Sequence, residues 1–261
     1  MAYDISNFVI DRVIRGIALS QKDDTVLFSI NQIQNPSLNC ASESADAVDA
    51  MGTPIATFYR AKSAEFSAEN ALFDMNLMAT QLGTTKKIAS ATNKVTSPAM
   101  ESFVAGAEPY TLKHTPKTAP TEIYALNGDS TFGKRYTKGT SASATAFAYT
   151  EGKITLPTGI ATGTDMFVMY EYETENAVEV ANNATQFPVG CKFIMEILGC
   201  DVCDQTSMIY AYLIFPNFKL SPDFDWTIAT DSTHPFSGKA QQEYCDKEKR
   251  LFSIVIPGDE E

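Results

Sequence analysis

The sequence predicts a mainly β protein, in which one α-helix flanks a sandwich- or barrel-forming sheet and a small β-sandwich domain is inserted. Short segments with strand-like apolar patterns recur along the chain, separated by Gly, Pro, Asn and Asp, the residues typical of turns. Only one segment shows clear helical spacing. The 261 residues are 44% hydrophobic, which is enough to build a substantial core.

The N-terminal part is predicted to be rich in strands. Residues 8–33 contain two apolar segments on either side of the polar turn 21–25, as in a hairpin. Strand-like residues resume at 55–60. Residues 42–54, before that strand, are small and acidic and end in Gly-Thr-Pro, so they are predicted to form an acidic loop.

One segment has the spacing of an amphipathic helix. Asn70 is placed to cap its N-terminus, and Gly83 is placed to follow its C-terminus. The apolar positions that define this helix are Ala71, Leu72, Met75, Leu77, Met78 and Leu82.

The composition changes in the middle of the chain. Residues 109–120 contain three prolines and are predicted to be a linker, and 121–175 show short strands with Gly-rich turns, typical of a small sandwich. We therefore expect a discontinuous parent domain, residues 1–107 and 179–261, with an inserted, outward-facing β domain at 108–178.

The formal net charge is −12 and the pI is about 4.6, which argues against a surface that grips nucleic acid, since phosphate binding needs clustered Lys and Arg. No basic, apolar N-terminal segment suggests a signal peptide, and no apolar run is long enough to span a bilayer. We expect synthesis in a cytoplasm, with the five cysteines as free thiols.

Catalysis has little support in the sequence. The two histidines are His114, in the proline-rich linker, and His234, which precedes a proline. A histidine base or triad would have to use one of them. The sequence also lacks a nucleophile elbow and a phosphate-binding Gly-rich loop, so we predict neither an enzyme nor a cofactor.

The sharpest metal-like pattern is Cys200-Asp-Val-Cys203. Cys191 could supply a third zinc ligand and Cys245 a fourth, although the sequence has no second Cys-x-x-Cys pair. A redox pair is a further reading of the two closely spaced cysteines. We expect ordinary buried or turn cysteines more than zinc ligands.

Two groups of acidic residues also invite a metal reading. Glu171, Glu173 and Glu175 alternate on one predicted strand and could bind calcium, but a solvated strand face is the expectation. The single tryptophan, Trp226, is expected to fill the core or to anchor an interface. The second acidic group lies around it in a predicted loop: Asp223, Asp225 and Asp231.

Two stretches of the chain carry a family resemblance. The first is INQIQNPSLNC at 30–40, continued by GTPIATFYRAKSAEFSAEN at 52–70. The second is AYLIFPNFKLSPDF at 211–224, followed by KRLFSIVI at 249–256. Both resemble tail tube (major tail) proteins of large tailed phages that infect gut-type bacteria. The resemblance covers the parent domain, about 190 residues, and the insertion resembles the extra outward-facing domains of some tail tube proteins.

The resemblance implies a virion protein that is assembled in the host cytoplasm. Copies would join their sheets edge to edge into a hexameric ring, and rings would stack into a hollow tube through which the genome passes without specific binding. Partners would be other copies and other tail proteins: the tape measure, baseplate and terminator proteins, and a sheath where the tail has one. No membrane is implied.

The same resemblance places a ring-to-ring contact in loop 42–54. Glu43, Asp46, Asp49 and Met51 are the candidate contact residues. The N-terminal segment 1–20 is a candidate for a second contact. An acidic lumen would repel DNA phosphates and let the genome slide.

A carbohydrate-binding or decoration β-sandwich protein of a virion is the alternative. Residues 121–175 alone would suit it, with Tyr124, Tyr136 and Tyr149 as exposed binding residues. Another virion shell component is a third reading, and an enzyme is the last.

Overall fold

A computed structural model of the protein describes residues 5, 7–106, 108–243 and 247–258. Strands make up 55% and helix 3% of it, and the described residues contain one α-helix. The prediction of a mainly β fold is confirmed. No helix among these residues has the length and apolar character needed to cross a membrane.

The elements divide between two compact units. Unit 1 comprises Met1–Lys86 and Val180–Glu261, and unit 2 comprises Lys87–Glu179. In chain order, the elements are β1 (Phe8–Ser20), β2 (Val26–Ile30), β3 (Ile33–Val48), β4 (Pro54–Asn70), α1 (Met75–Gln81), β5 (Lys87–Ile88), β6 (Val95–Val104), β7 (Tyr110–Thr111), β8 (Glu122–Leu126), β9 (Phe132–Gly139), β10 (Ala146–Thr150), β11 (Lys153–Thr155), β12 (Asp165–Thr174), β13 (Val178–Glu179), β14 (Gly190–Asp201), β15 (Met208–Leu220), β16 (His234–Ala240) and β17 (Ser253–Val255).

Unit 1 is built on one antiparallel sheet with the order β2-β1-β14-β15-β16-β4-β3, and β17 also pairs with β15. Strand β15 pairs with β14 from Met208 to Lys219 and, through its last three residues, with β16, and the sheet curls. Phe66 on β4 therefore faces Phe193 on β14, with their ring centroids 5.7 Å apart. The largest rings of this core are Phe28, Phe66, Phe193, Phe215, Phe218 and Phe236.

Helix α1 begins later than the sequence pattern predicts. Asp74, not Asn70, is the N-cap, and its carboxylate accepts hydrogen bonds from the backbone N–H groups of Asn76 and Leu77. Asn70 is instead the last residue of β4, where strand pairing fixes its backbone. Gly83 has φ +69°, so the predicted C-terminal glycine is confirmed.

Unit 2 contains a sheet with the order β6-β12-β8-β9-β10-β11-β7, in which only β9 and β10 are parallel. A separate short sheet joins β5 to β13. Because β6 pairs with β12 along its whole length, residues 87–106 belong to this unit. The compact units divide after residue 86 and again after 179, whereas the sequence-based expectation places the divisions after 107 and after 178.

Glu101 connects the first and last strands of the unit 2 sheet. Its side chain on β6 is only 3% exposed and accepts hydrogen bonds from the hydroxyls of Tyr170 and Tyr110 and from the backbone N–H of Lys113. Burial, together with the Glu101 carboxylate, raises the pKa of Tyr170, so this phenol remains a hydrogen-bond donor. Tyr110 lies on β7, so Glu101 ties β7 to β6.

Replacing Glu101 with Leu is expected to destabilise unit 2 by roughly 2–4 kcal/mol, because buried donors lose their shared acceptor. Native-state hydrogen exchange of the β6 and β12 amides would measure the loss. Ser102→Ala, at the exposed next position of β6, is the matched control and should change protection little. Unchanged protection in Glu101→Leu would contradict the assigned role.

Candidate assembly surface

The segment predicted as an acidic loop at 42–54 is the distal part of a long hairpin. Strands β3 and β4 pair continuously, from Ile33 opposite Asn70 to Val48 opposite Pro54, with bulges along the way. The loop prediction was wrong for most of this segment, because its small and acidic residues lack an apolar alternation. Their strand conformation comes from pairing with β4.

The hairpin tip is a tight turn organised by Asp49. Its carboxylate accepts hydrogen bonds from the backbone N–H groups of Met51 (2.8 Å) and Thr53 (2.9 Å). Gly52 has φ +85°, a conformation that glycine adopts without a steric penalty. Asp49 therefore builds the turn, and Met51, which is 92% exposed, projects from it.

The other two candidate acids lie on β3. Glu43 is opposite Arg60, which places opposite charges across the strand pair. Asp46 is opposite Thr57 and accepts a 2.7 Å hydrogen bond from the Thr57 hydroxyl. Glu43 and Asp46 are exposed, as is Met51, so the structure leaves all three available for contact.

The distal hairpin has no core beneath it. In β4 the alternating burial starts at Ala64, whereas residues 54–63 are exposed on both faces, and so are 39–48 on β3. Ten residues of strand extend about 30 Å. This stretch also exposes five apolar residues in the tip region: Val48, Met51, Ile55, Phe58 and Tyr59. An isolated two-stranded hairpin is marginally stable, so a partner that covers these residues would stabilise it.

Two strands end the unit 1 sheet in the described part of the chain. They are β2 at one end and β3 at the other, and each leaves one backbone edge without a neighbouring strand. Such an edge presents N–H and C=O groups that can pair with another chain.

The described cysteines do not assemble into the candidate zinc set. Cys191 is buried and donates to the carbonyl of Phe218, and burial raises the pKa of its thiol to about 12. Cys191 and Cys200 are nine residues apart on the extended strand β14, or about 30 Å, too far to share an ion. Cys203 follows β14, and Cys245 lies outside the described residues. No candidate metal cluster of three His, Cys, Asp or Glu residues occurs in the described residues.

Both described histidines have structural partners. His234 is fully buried: its Nδ1 accepts from the backbone N–H of Asp74, and its Nε2 lies 2.8 Å from Oε1 of Gln81. These partners require the neutral ring, and burial lowers the pKa of His234. His114 stacks on Tyr172 with ring centroids 3.9 Å apart.

Two of the three alternating acids at the end of β12 form surface ion pairs. Glu173 lies 3.2 Å from Lys117, and Glu175 lies 3.2 Å from Lys94. In unit 1, Trp226 stacks on Phe73, with ring centroids 4.4 Å apart. Asp223, Asp225 and Asp231 lie in the loop between β15 and β16, on either side of Trp226.

The three tyrosines named for carbohydrate binding do not form one exposed surface. Tyr136 is buried in the core of unit 2, because its position on β9 faces inward. The Tyr149 hydroxyl accepts a hydrogen bond from the backbone N–H of Gly152. Tyr124 is partly exposed and contacts Phe132. Of the three expected surface tyrosines, the structure buries Tyr136 and leaves Tyr124 and Tyr149 partly exposed.

A β-rich chain with a long, exposed hairpin has the features of a structural protein. The model of the YomU/Tube protein family matches residues 8–252, so the chain belongs to this family. The family indicates a tube-type structural protein of phage origin. The search of curated proteins found no match.

Acidification is expected to weaken unit 1 through His234. Because the pKa of this ring is lowered in the fold, the unfolded chain takes up the proton first as the pH falls below about 6.5. The free energy of unfolding should fall by at most about 1.4 kcal/mol per pH unit from this one group. Denaturation followed by Trp226 fluorescence at each pH measures this free energy, since Phe73 stacks on both Trp226 and His234.

His234→Gln should reduce this pH dependence, whereas His114→Gln should preserve it. An equal pH dependence in the wild type and His234→Gln would contradict the assignment.

Proposed function

We propose that this chain is the major tail tube protein of a tailed phage, a non-catalytic subunit whose copies form stacked, hexameric rings around the channel for the genome. The observation that carries the proposal is the β3–β4 hairpin, which is exposed on both faces over about 30 Å and has an apolar tip. Membership of the YomU/Tube family supports it.

Ring formation would use the two free edges of the unit 1 sheet. Neighbouring copies would pair these edges, and closure around the ring would remove them. Free strand edges, which can otherwise pair with any exposed strand, would form the contact between neighbouring subunits of the ring.

Stacking would use the distal hairpin. Reaching into the next ring, the hairpin would bury its apolar tip there, and a head-to-tail contact of this kind produces an open filament. Glu43, Asp46 and Met51 are positioned for direct contact, and Asp49 would act by holding the turn.

The charge distribution agrees with a tube wall formed by unit 1. Unit 1 contains 22 Asp and Glu against 12 Lys and Arg, a net charge of −10, whereas unit 2 contains 10 against 8, a net charge of −2. Negative charge along a channel would repel DNA phosphates and hinder adhesion. The protein would be part of the virion tail, would assemble in the host cytoplasm, and would meet the tape measure, baseplate and terminator proteins.

Negative-stain electron microscopy of the purified protein, and of the tails of the particle, tests the proposal directly by showing hollow tubes with a ring repeat. A protein that stays monomeric at every concentration and salt, and is absent from tails, would overturn it.

The combined substitution Ile55→Ser, Phe58→Ser and Tyr59→Ser is expected to abolish tubes while leaving the subunit folded, because the stacking contact loses its apolar surface. Circular dichroism checks the fold and microscopy counts the tubes. Ile228→Ser, at a similarly exposed apolar residue of unit 1, is the control and should preserve tubes. Normal tubes from the triple variant would refute the stacking role.

Charge reversal on the same hairpin tests its acidic side. Glu43→Lys with Asp46→Lys should impair stacking with folding intact, because the contact would then meet the wrong charge. Asp49 is left unchanged, since its loss would alter the turn itself. Tube yield at low and high salt measures the effect. A yield equal to that of the wild type at both salt concentrations would contradict a role of these acids in stacking.

A further inference from the structure

The β3–β4 hairpin contains a β-bulge at the point where its core-anchored part ends. Ala41 on β3 is opposite Ser63 on β4. The next pair is Glu43 opposite Arg60. Between these pairs β3 advances from 41 to 43 and β4 from 63 to 60, so β4 carries one extra residue, within the segment Ala61-Lys62. A bulge of this kind bends the strand that carries it and increases its twist.

The backbone of Ala61 has the conformation that marks such a bulge. Its φ is +47°, in the left-handed region that glycine adopts easily and alanine adopts at a steric cost. Where a bulge contains one left-handed residue, that residue is usually glycine. Alanine has fewer backbone conformations available than glycine, so Ala61 leaves the bend less freedom than a glycine would.

The bulge lies between the buried and the exposed part of β4. Ala64 is only 1% exposed, whereas residues 54–63 are exposed on both faces. A second bulge lies at the other end of the anchored part, where β3 advances from Gln34 to Ser37 while β4 advances from Glu69 to Ser67. The direction of the distal hairpin therefore depends on the backbone at Ala61 and Lys62 more than on side-chain packing.

The strand pairs beyond the bulge are fixed by contacts of their own. Asp46 accepts a hydrogen bond from the hydroxyl of Thr57, which lies opposite it, and Asp49 organises the turn. Removal of one residue at the bulge would give a regular ladder in which Ala45 still lies opposite Phe58. The direction of the distal hairpin can thus be changed while the side chains on each of its faces stay the same.

We propose that the bulge at Ala61 and Lys62 is the positioning element of the stacking contact: its bend sets the direction in which the distal hairpin leaves unit 1, and assembly requires that direction. The inference rests on the proposed function, in which the hairpin enters the next ring. A long hairpin amplifies a bend at its base, since a rotation of about 20° moves a tip about 30 Å away by about 10 Å.

Deletion of Ala61 tests the proposal. The variant should stay folded, because the bulge lies outside the core, and its tube yield should fall at least tenfold. Ala61→Gly is the matched control: glycine accepts the same φ, so the bend and the tube yield should be preserved. Electron microscopy counts the tubes, and circular dichroism checks the fold.

Ala61→Val supplies a second test that keeps the length of the chain. A β-branched residue disfavours a positive φ, so this variant should also lose tubes. If the deletion variant fails to fold, Ala61→Val decides the question by the same measurements.

Energy transfer measures the direction of the hairpin in the free subunit, where no tube is needed. Trp226 is the single tryptophan and belongs to unit 1, so it serves as the donor for a dye attached at Met51→Cys. All cysteines other than the buried Cys191 are replaced by serine in this background. Deletion of Ala61 should shift the transfer efficiency, whereas Ala61→Gly should leave it unchanged.

The outcomes separate this inference from the proposed function. Unchanged energy transfer in the deletion variant, or a wild-type yield of tubes from it, would overturn the positioning role and leave the tube function standing. Equal loss of tubes in the deletion variant and in Ala61→Gly would also overturn it, because the loss would not follow the bend. Failure of the wild type to form tubes under any condition would refute the tube function and this inference with it.

Discussion

The packing of Phe66 against Phe193, Phe215 and Phe218 holds the two halves of the unit 1 sheet together. The position of the β3–β4 hairpin depends on this packing. Strand β4 is anchored by alternating buried residues, Ala64, Phe66 and Ala68, and then continues past the end of the core into the exposed half of the hairpin. Strand β4 thus serves two roles. Burial fixes its proximal half, and this sets the direction of its distal half, which is exposed on both faces.

Two buried polar side chains, His234 and Glu101, have structural roles. His234 on β16 contacts both ends of α1, at the N-cap Asp74 and at the last helical residue Gln81. Glu101 links β6 to Tyr110 on β7 and to the Lys113 backbone. Each has the partners that a buried polar group needs, which makes each a fixed part of the fold. The hydrogen bonds of these two side chains hold the surrounding backbone in place.

The apolar tip of the β3–β4 hairpin has the opposite property. Its side chains are exposed, and the paired strands hold them in place. Preorganised surfaces of this kind lower the entropic cost of association. The negative charge is concentrated in unit 1, whose net charge is −10 against −2 for unit 2.

The sequence alone determined the β class, the end of α1 at Gly83 and the weakness of any histidine-based chemistry, because these follow from local pattern and residue type. Tertiary structure decided the rest. Residues 42–48 became a strand and not a loop, and residues 87–106 joined unit 2, because pairing with β4 and with β12 is non-local and leaves no periodic signal. Likewise, Phe132 and Tyr136 are four residues apart on β9 and would share a face of a regular strand. The irregularity in pairing between them puts Tyr136 in the core and leaves Phe132 exposed.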